Sequence, residues 1–120
     1  MGKLLLNVTS GIESPTKATL AALVAKTAAA EGHEVTLFFG GDAVSLLRAV
    51  TAPAIQGVGL GSFKEHLDAA VAGGATICAS KLSGVARGIG EGDVGDLPVR
   101  LVAPTDLIRQ TLEADAVLSY

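Results

Sequence analysis

The chain has 120 residues, 49 % hydrophobic and 18 % charged, which suits one domain with its own core, residues 1–120, and excludes wholesale disorder. Its 9 basic and 12 acidic residues leave a formal charge of −3, so a general electrostatic grip on nucleic acid is excluded. Aromatic residues are only 3 % and Trp is absent, which argues against base-stacking platforms as well. Cys78 is the one cysteine, so neither an intramolecular disulfide nor a Cys-rich metal site can form. His33 and His66 have no metal-ligand spacing with each other. A free thiol and no recognisable signal peptide point to a reducing cytoplasm. The longest apolar stretch, Ala18 to Ala30, is interrupted by Lys26 and too short to span a bilayer. The mean hydropathy of +0.50 suggests that part of the apolar surface is covered by a further copy.

The run Leu4-Leu5-Leu6-Asn7-Val8-Thr9, stopped by Ser10-Gly11, reads as a strand buried on both faces of a parallel sheet. Ser14-Pro15 places a cap and a first-turn proline before an Ala-rich helix. Leu20, Leu23, Val24 and Thr27 recur in it at helical spacing, and Gly32 ends it. Glu34 to Phe39 reads as the second strand. Gly40-Gly41 closes it, and Asp42 can cap a short helix carrying Val44, Leu47 and Val50. Pro53 to Gly61, with Gly57, Gly59 and Gly61, reads as a loop with a short extended piece at most. Ser62 caps a helix from Phe63 to Ala72, ended by Gly73-Gly74. Ala75 to Ala79 is a third strand. Ser80 to Gly88 gives a loop and one or two helical turns, followed by a polar glycine loop through Gly95. Val99 to Val102 is a fourth strand, Asp106 to Glu113 a helix carrying Leu107, Ile108 and Leu112, and Ala116 to Ser119 a last strand. Alternating strands and helices predict a three-layer α/β/α sandwich with a mostly parallel five-stranded sheet.

Ligands of such sheets sit beyond the carboxyl ends of the strands. The pocket loops expected there are Ser10-Gly11, Gly41 and the segment from Ser80. Cys78, at the end of an apolar strand, is the candidate nucleophile. Cations nearby and backbone N–H groups at a helix start favour its thiolate, the form that attacks sulfur or carbon electrophiles. Lys81 and Arg87 are the candidates for stabilising that thiolate or an anion. Against this stands the ordinary fate of a free cysteine, which is burial as a small hydrophobe. Gly57-Val58-Gly59-Leu60-Gly61 fits neither a dinucleotide fingerprint nor a P-loop. Asp42, Asp93, Asp96 and Asp106 read as cap or loop acids, and no Ser-His-Asp set is placed by the strands.

The chain resembles the DsrE/DsrF-like family of small sulfur-relay proteins. The residues that carry the resemblance run in order along almost the whole length. They are Leu4 to Gly11 with Pro15 and the Ala-rich helix, Gly32 to Phe39, Gly41-Asp42-Ala43-Val44, Ile77-Cys78-Ala79-Ser80, Val85-Ala86-Arg87-Gly88-Ile89 and Ala114 to Ser119. The resemblance implies a five-stranded parallel sheet between helices and assembly as homotrimers or homohexamers. It also implies a cysteine after the third strand that carries sulfur as a persulfide. Cys78 stands at that position, and Arg87-Gly88 matches the basic residue before glycine. Lys81-Leu82 depart from the small residues usual after the cysteine.

Three readings follow, the third being a mainly structural oligomer whose surface recruits a partner. In the first, Cys78 accepts sulfur from a donor protein or small thiol and passes it to an acceptor. No metal or organic cofactor is required, because thiol–disulfide-type exchange supplies the chemistry. In the second, the chain is a non-catalytic oligomeric module that binds a small anionic ligand, with Cys78 in the packing.

Overall fold

A computed structural model describes all 120 residues. Strand β1 (Lys3–Val8) leads through a tight turn into α1 (Pro15–Ala30), and β2 (Glu34–Phe39) returns beside β1. Two 3-10 segments, Gly41–Leu47 and Ala52–Ala54, precede a hairpin of two-residue strands, β3 (Gln56–Gly57) and β4 (Gly61–Ser62). Helix α2 (Phe63–Ala72), β5 (Thr76–Ser80), the short α3 (Lys81–Ala86) and a 3-10 turn at Glu91–Asp93 follow. The chain closes with β6 (Val99–Val102), α4 (Pro104–Glu113) and β7 (Ala116–Ser119). Periodicity alone does not fix the strand order. The structure shows β6-β5-β2-β1-β7, with every neighbouring pair parallel. The glycine-rich stretch read as a loop is thus partly a hairpin.

Helices α1 and α2 cover one face of the sheet, and α4 covers the other on its way from β6 back to β7. Parallel strands need such crossovers, and the rule of right-handedness puts the return helix on the opposite face. The two faces are filled very unequally. The core on the α1 side joins 26 buried residues, whereas the cluster under α4 joins 4: Leu5, Phe38, Cys78 and Val102.

The reason lies in α1. Its fully buried side is made of alanines, Ala18, Ala21, Ala22, Ala25, Ala28 and Ala29, with Thr19. The larger Leu20, Leu23 and Val24, which recur at helical spacing, are only half-buried. Small side chains let the helix backbone approach both α2 and the sheet, and the bulk of the core comes instead from Leu6, Val8, Leu37, Phe39, Phe63 and Leu67. Ser14 occupies the cap position without a side-chain cap bond, so Pro15 alone marks the start. Ser62 caps α2 through its hydroxyl, which accepts from the Glu65 N–H at 3.3 Å.

Helix α4 is held differently. None of its residues is fully buried. Leu107 packs on the sheet together with Ala114, while Ile108 and Leu112 are 61 % and 81 % exposed. Its first turn is tied by the Asp106 carboxylate, which accepts from the Ala103 N–H at 3.0 Å and pairs with Arg109 at 2.9 Å. These contacts hold the Asp106 carboxyl below its ordinary value, the Ala103 N–H first and the Arg109 guanidinium second.

Two predictions follow from this packing. Ala25→Leu has no room and destabilises the fold by about 1–3 kcal/mol in urea unfolding, whereas Leu at the exposed Ala30 changes stability by less than about 0.5 kcal/mol. For Asp106 the folded carboxyl titrates below the unfolded one, so its stabilisation is complete above the ordinary value of 3.8 and lost as pH falls through the folded value. Thermal midpoints of the wild type should therefore exceed those of Asp106→Ala at neutral pH and converge with them in acid.

Candidate functional site

The carboxyl ends of β1, β2 and β5 bring the predicted loops together. Gly41 takes φ +57°, a left-handed conformation that favours glycine, and its N–H donates to the Ser83 hydroxyl at 2.9 Å. A side chain at Gly11 would meet the Asp42 carbonyl at 2.7 Å, so the β1 and β2 loops touch backbone to backbone there. Ser80 caps α3, its hydroxyl accepting from the Ser83 N–H at 3.2 Å. Ser10 is half-buried at the same rim.

Arg87 joins these loops. Its guanidinium donates to the Asp42 carboxylate at 2.7 Å and to the Ser83 carbonyl at 3.0 Å, while Arg48 donates to the Arg87 carbonyl at 2.6 Å. Asp42 therefore serves as the partner of Arg87 and makes no helix-capping bond. Lys81 is exposed and makes no hydrogen bond or ion pair. Of the remaining acids, Asp93 accepts from the Gly90 N–H at 2.8 Å, and Asp96 reaches Lys64 at 3.1 Å. No three His, Cys, Asp or Glu side chains come together as a metal site, and no helix is long and apolar enough to cross a membrane.

Cys78 lies elsewhere. It is the central residue of β5, two positions below the rim, and it is completely covered. Side chains alternate along a strand. Ile77 and Ala79 enter the large core, so Cys78 faces α4, beside Phe38 and under Leu107. The rim cations make no contact with it. Its one side-chain hydrogen-bond partner is Gln110 of α4, whose amide N–H donates to Sγ at 3.8 Å.

Gln110 is the residue that sequence reasoning missed. The signal was the stripe Leu107, Gln110, Ala114, spaced three and four apart, which is the face of α4 laid on the sheet. Of the apolar residues Leu107, Ile108 and Leu112, only Leu107 lies on that face, and the other two point away. The Gln110 carbonyl oxygen is buried without a partner, and so is the side-chain oxygen of Asn7. Asn7 pairs in register with Phe38, and Phe38 with Cys78, so the two unpartnered acceptors and the thiol occupy one layer beneath α4. A groove of about 110 Å³ between Leu5, Thr36, Gln110 and Glu113 opens beside this layer.

The arrangement holds a thiol against a neutral amide, in an apolar setting, next to unused acceptors. An amide can donate to a sulfur anion through its N–H and accept from an S–H through its carbonyl.

Comparison with known proteins gives this geometry a context. No curated protein matches the chain. Among solved structures, it is similar over the full length of both chains to the ychN protein from E. coli, with 21 % identity and a TM-score of 0.83. A protein of unknown function from Methanobacterium thermoautotrophicum, MTH1491, also aligns over both full lengths, with 12 % identity and a TM-score of 0.76. A conserved protein of unknown function from Bacteroides thetaiotaomicron, BT1422, aligns over 99 % of this chain and 95 % of its own, with 15 % identity and a TM-score of 0.73. These likenesses establish the shared fold. The sequence itself matches the model of the DsrE/DsrF-like family across residues 2–120, and the chain belongs to that family.

Proposed function

We propose that the protein is a sulfur carrier, or sulfurtransferase, that holds sulfane sulfur as a persulfide on Cys78. The observation that carries this reading is the setting of the only thiol. In a chain of this family, it lies at the centre of β5 with a polar amide aimed at the sulfur and two unused hydrogen-bond acceptors in its layer. A cysteine kept only for packing needs none of these.

The chemistry needs no cofactor. The Cys78 thiolate attacks the outer sulfur of a donor persulfide. A new S–S bond forms to Sγ, the donor's S–S bond breaks, and its electron pair leaves with the donor thiolate. An acceptor thiolate then attacks the same outer sulfur and Cys78 departs as thiolate. With a single cysteine the chain cannot resolve its own persulfide, so donor and acceptor are separate proteins or small thiols. In this reading Arg87 and Lys81, at the rim, receive the anionic end of such a partner.

Assembly as a homotrimer or homohexamer belongs to the same proposal. Leu82, Val85, Ile108, Leu112, Val117 and Leu118 are large apolar side chains left exposed on α3, α4 and β7, and a further copy would cover them. Work in the cytoplasm would keep the thiol reduced.

The complete burial of Cys78 favours a second reading, a binding module in which the thiol is packing and Gly41, Ser10, Gly11, Ser80 and Arg87 hold a small anionic ligand. One experiment separates the two. Incubated with a small persulfide donor and analysed by intact mass, the protein should gain one sulfur atom that is lost on reduction and never appears on Cys78→Ser. Native mass spectra of the same samples give the number of copies. An unmodified wild type under these conditions would favour the binding module.

A further inference from the structure

We propose that α4 is a weakly held cover over Cys78, and that Gln110 sets how readily it opens. A sulfur with no exposure cannot meet a donor without movement, and α4 is the element in its way. That functional need rests on the sulfur-carrier reading; the opening itself does not.

Three observations single out α4. First, its grip on the sheet is slight. No residue of the helix is fully buried, and its one ion pair, Asp106 with Arg109, lies within the helix. By contrast α1 buries seven residues, five of them completely. Segments with little buried apolar surface open at a free energy below that of global unfolding.

Second, the closed position leaves the Gln110 carbonyl oxygen and the Asn7 side-chain oxygen buried and unpaired. Such acceptors lose their water on closure without compensation, and lifting the helix returns it to them. Closure is thus penalised in the layer that holds the thiol. Third, both ends of the helix are fixed while its body is not. β6 is paired to β5 ahead of it. Behind it the Asp115 carboxylate accepts from the Lys3 N–H at 2.7 Å, and the Asp115 N–H donates to the Lys3 carbonyl at 2.8 Å. The helix can lift between Ala103 and Ala114 with the sheet intact. The groove beside Gln110, with Lys3 and Glu34 at its mouth, is the one cavity that reaches a residue touching the sulfur.

Gln110 is a positioning residue here. Its N–H holds the sulfur, while its orphaned carbonyl keeps closure weak. Leucine in its place would fill the space without an unpaired oxygen, and alanine would leave a gap.

The test uses no sulfur donor, so its outcome is independent of persulfide formation. Cys78 is alkylated with iodoacetamide in native buffer, in the assembled protein, so that any neighbour over Ile108 and Leu112 is part of the cover. The labelling rate is compared with the global unfolding rate from circular dichroism. Labelling of the wild type should outrun unfolding by at least about a hundredfold. It should depend only weakly on urea, because little surface is exposed by the opening. Gln110→Ala should accelerate labelling about tenfold, and Gln110→Leu should slow it severalfold. Labelling that follows the global unfolding rate would overturn the proposal. So would fast labelling that is indifferent to both substitutions, since the sulfur would then be reached by another route.

Discussion

The close approach of α1 to the sheet is the constraint on which the rest of the structure depends. An alanine face allows it, and glycine at the end of α2 continues it, because a side chain at Gly73 would lie 3.1 Å from the Ala29 methyl. With α1 and α2 seated so tightly, leucine and phenylalanine side chains from β1, β2 and α2 fill one face of the sheet into a single core. The return from β6 to β7 must cross the other face, and only one short helix is available to cover it. The thin layer beneath α4 is thus a consequence of the topology.

The single thiol lies in that thin layer and faces away from the main core. In the main core a cysteine would be one small hydrophobe among 26 buried residues. Under α4 it has a polar neighbour and two hydrogen-bond acceptors without partners. In the proposed reading, burial would protect a persulfide from water and from unintended thiols, and a loosely held helix would offer a route for the intended one. At the rim, Arg87 also locks the β2 and β5 loops together through Asp42 and Ser83. Stability therefore resides on the α1 face, and the proposed chemistry resides on the α4 face.

Much of this was legible in the sequence. Buried parallel strands, the stops at Gly11, Gly32, Gly40 and Gly73, and the family order of motifs give the sheet, its helices and the place of Cys78 along the chain. What was not legible depends on facing. Helical spacing marks Leu20, Leu23 and Val24 as easily as Ala21, Ala22 and Ala25, and only the proximity of α2 decides that the alanines go inward. Alternation along β5 tells that Ile77 and Cys78 point to opposite faces, but the strand order decides which face belongs to α4. Gln110 escaped notice because a polar residue in a short helix reads as solvent-facing. Asp42 read as a cap because its partner, Arg87, is 45 positions away along the chain.

The unequal strength of the two faces is the central claim, and native-state hydrogen exchange resolved by residue tests it most directly. Amides of α1, β1, β2 and β5 should exchange only through global unfolding, with a common free energy, while those of α4 exchange through a smaller opening of much lower free energy and weak denaturant dependence. Protection in α4 equal to that in α1 would contradict the account, since the helix over Cys78 would then be as firmly held as the core.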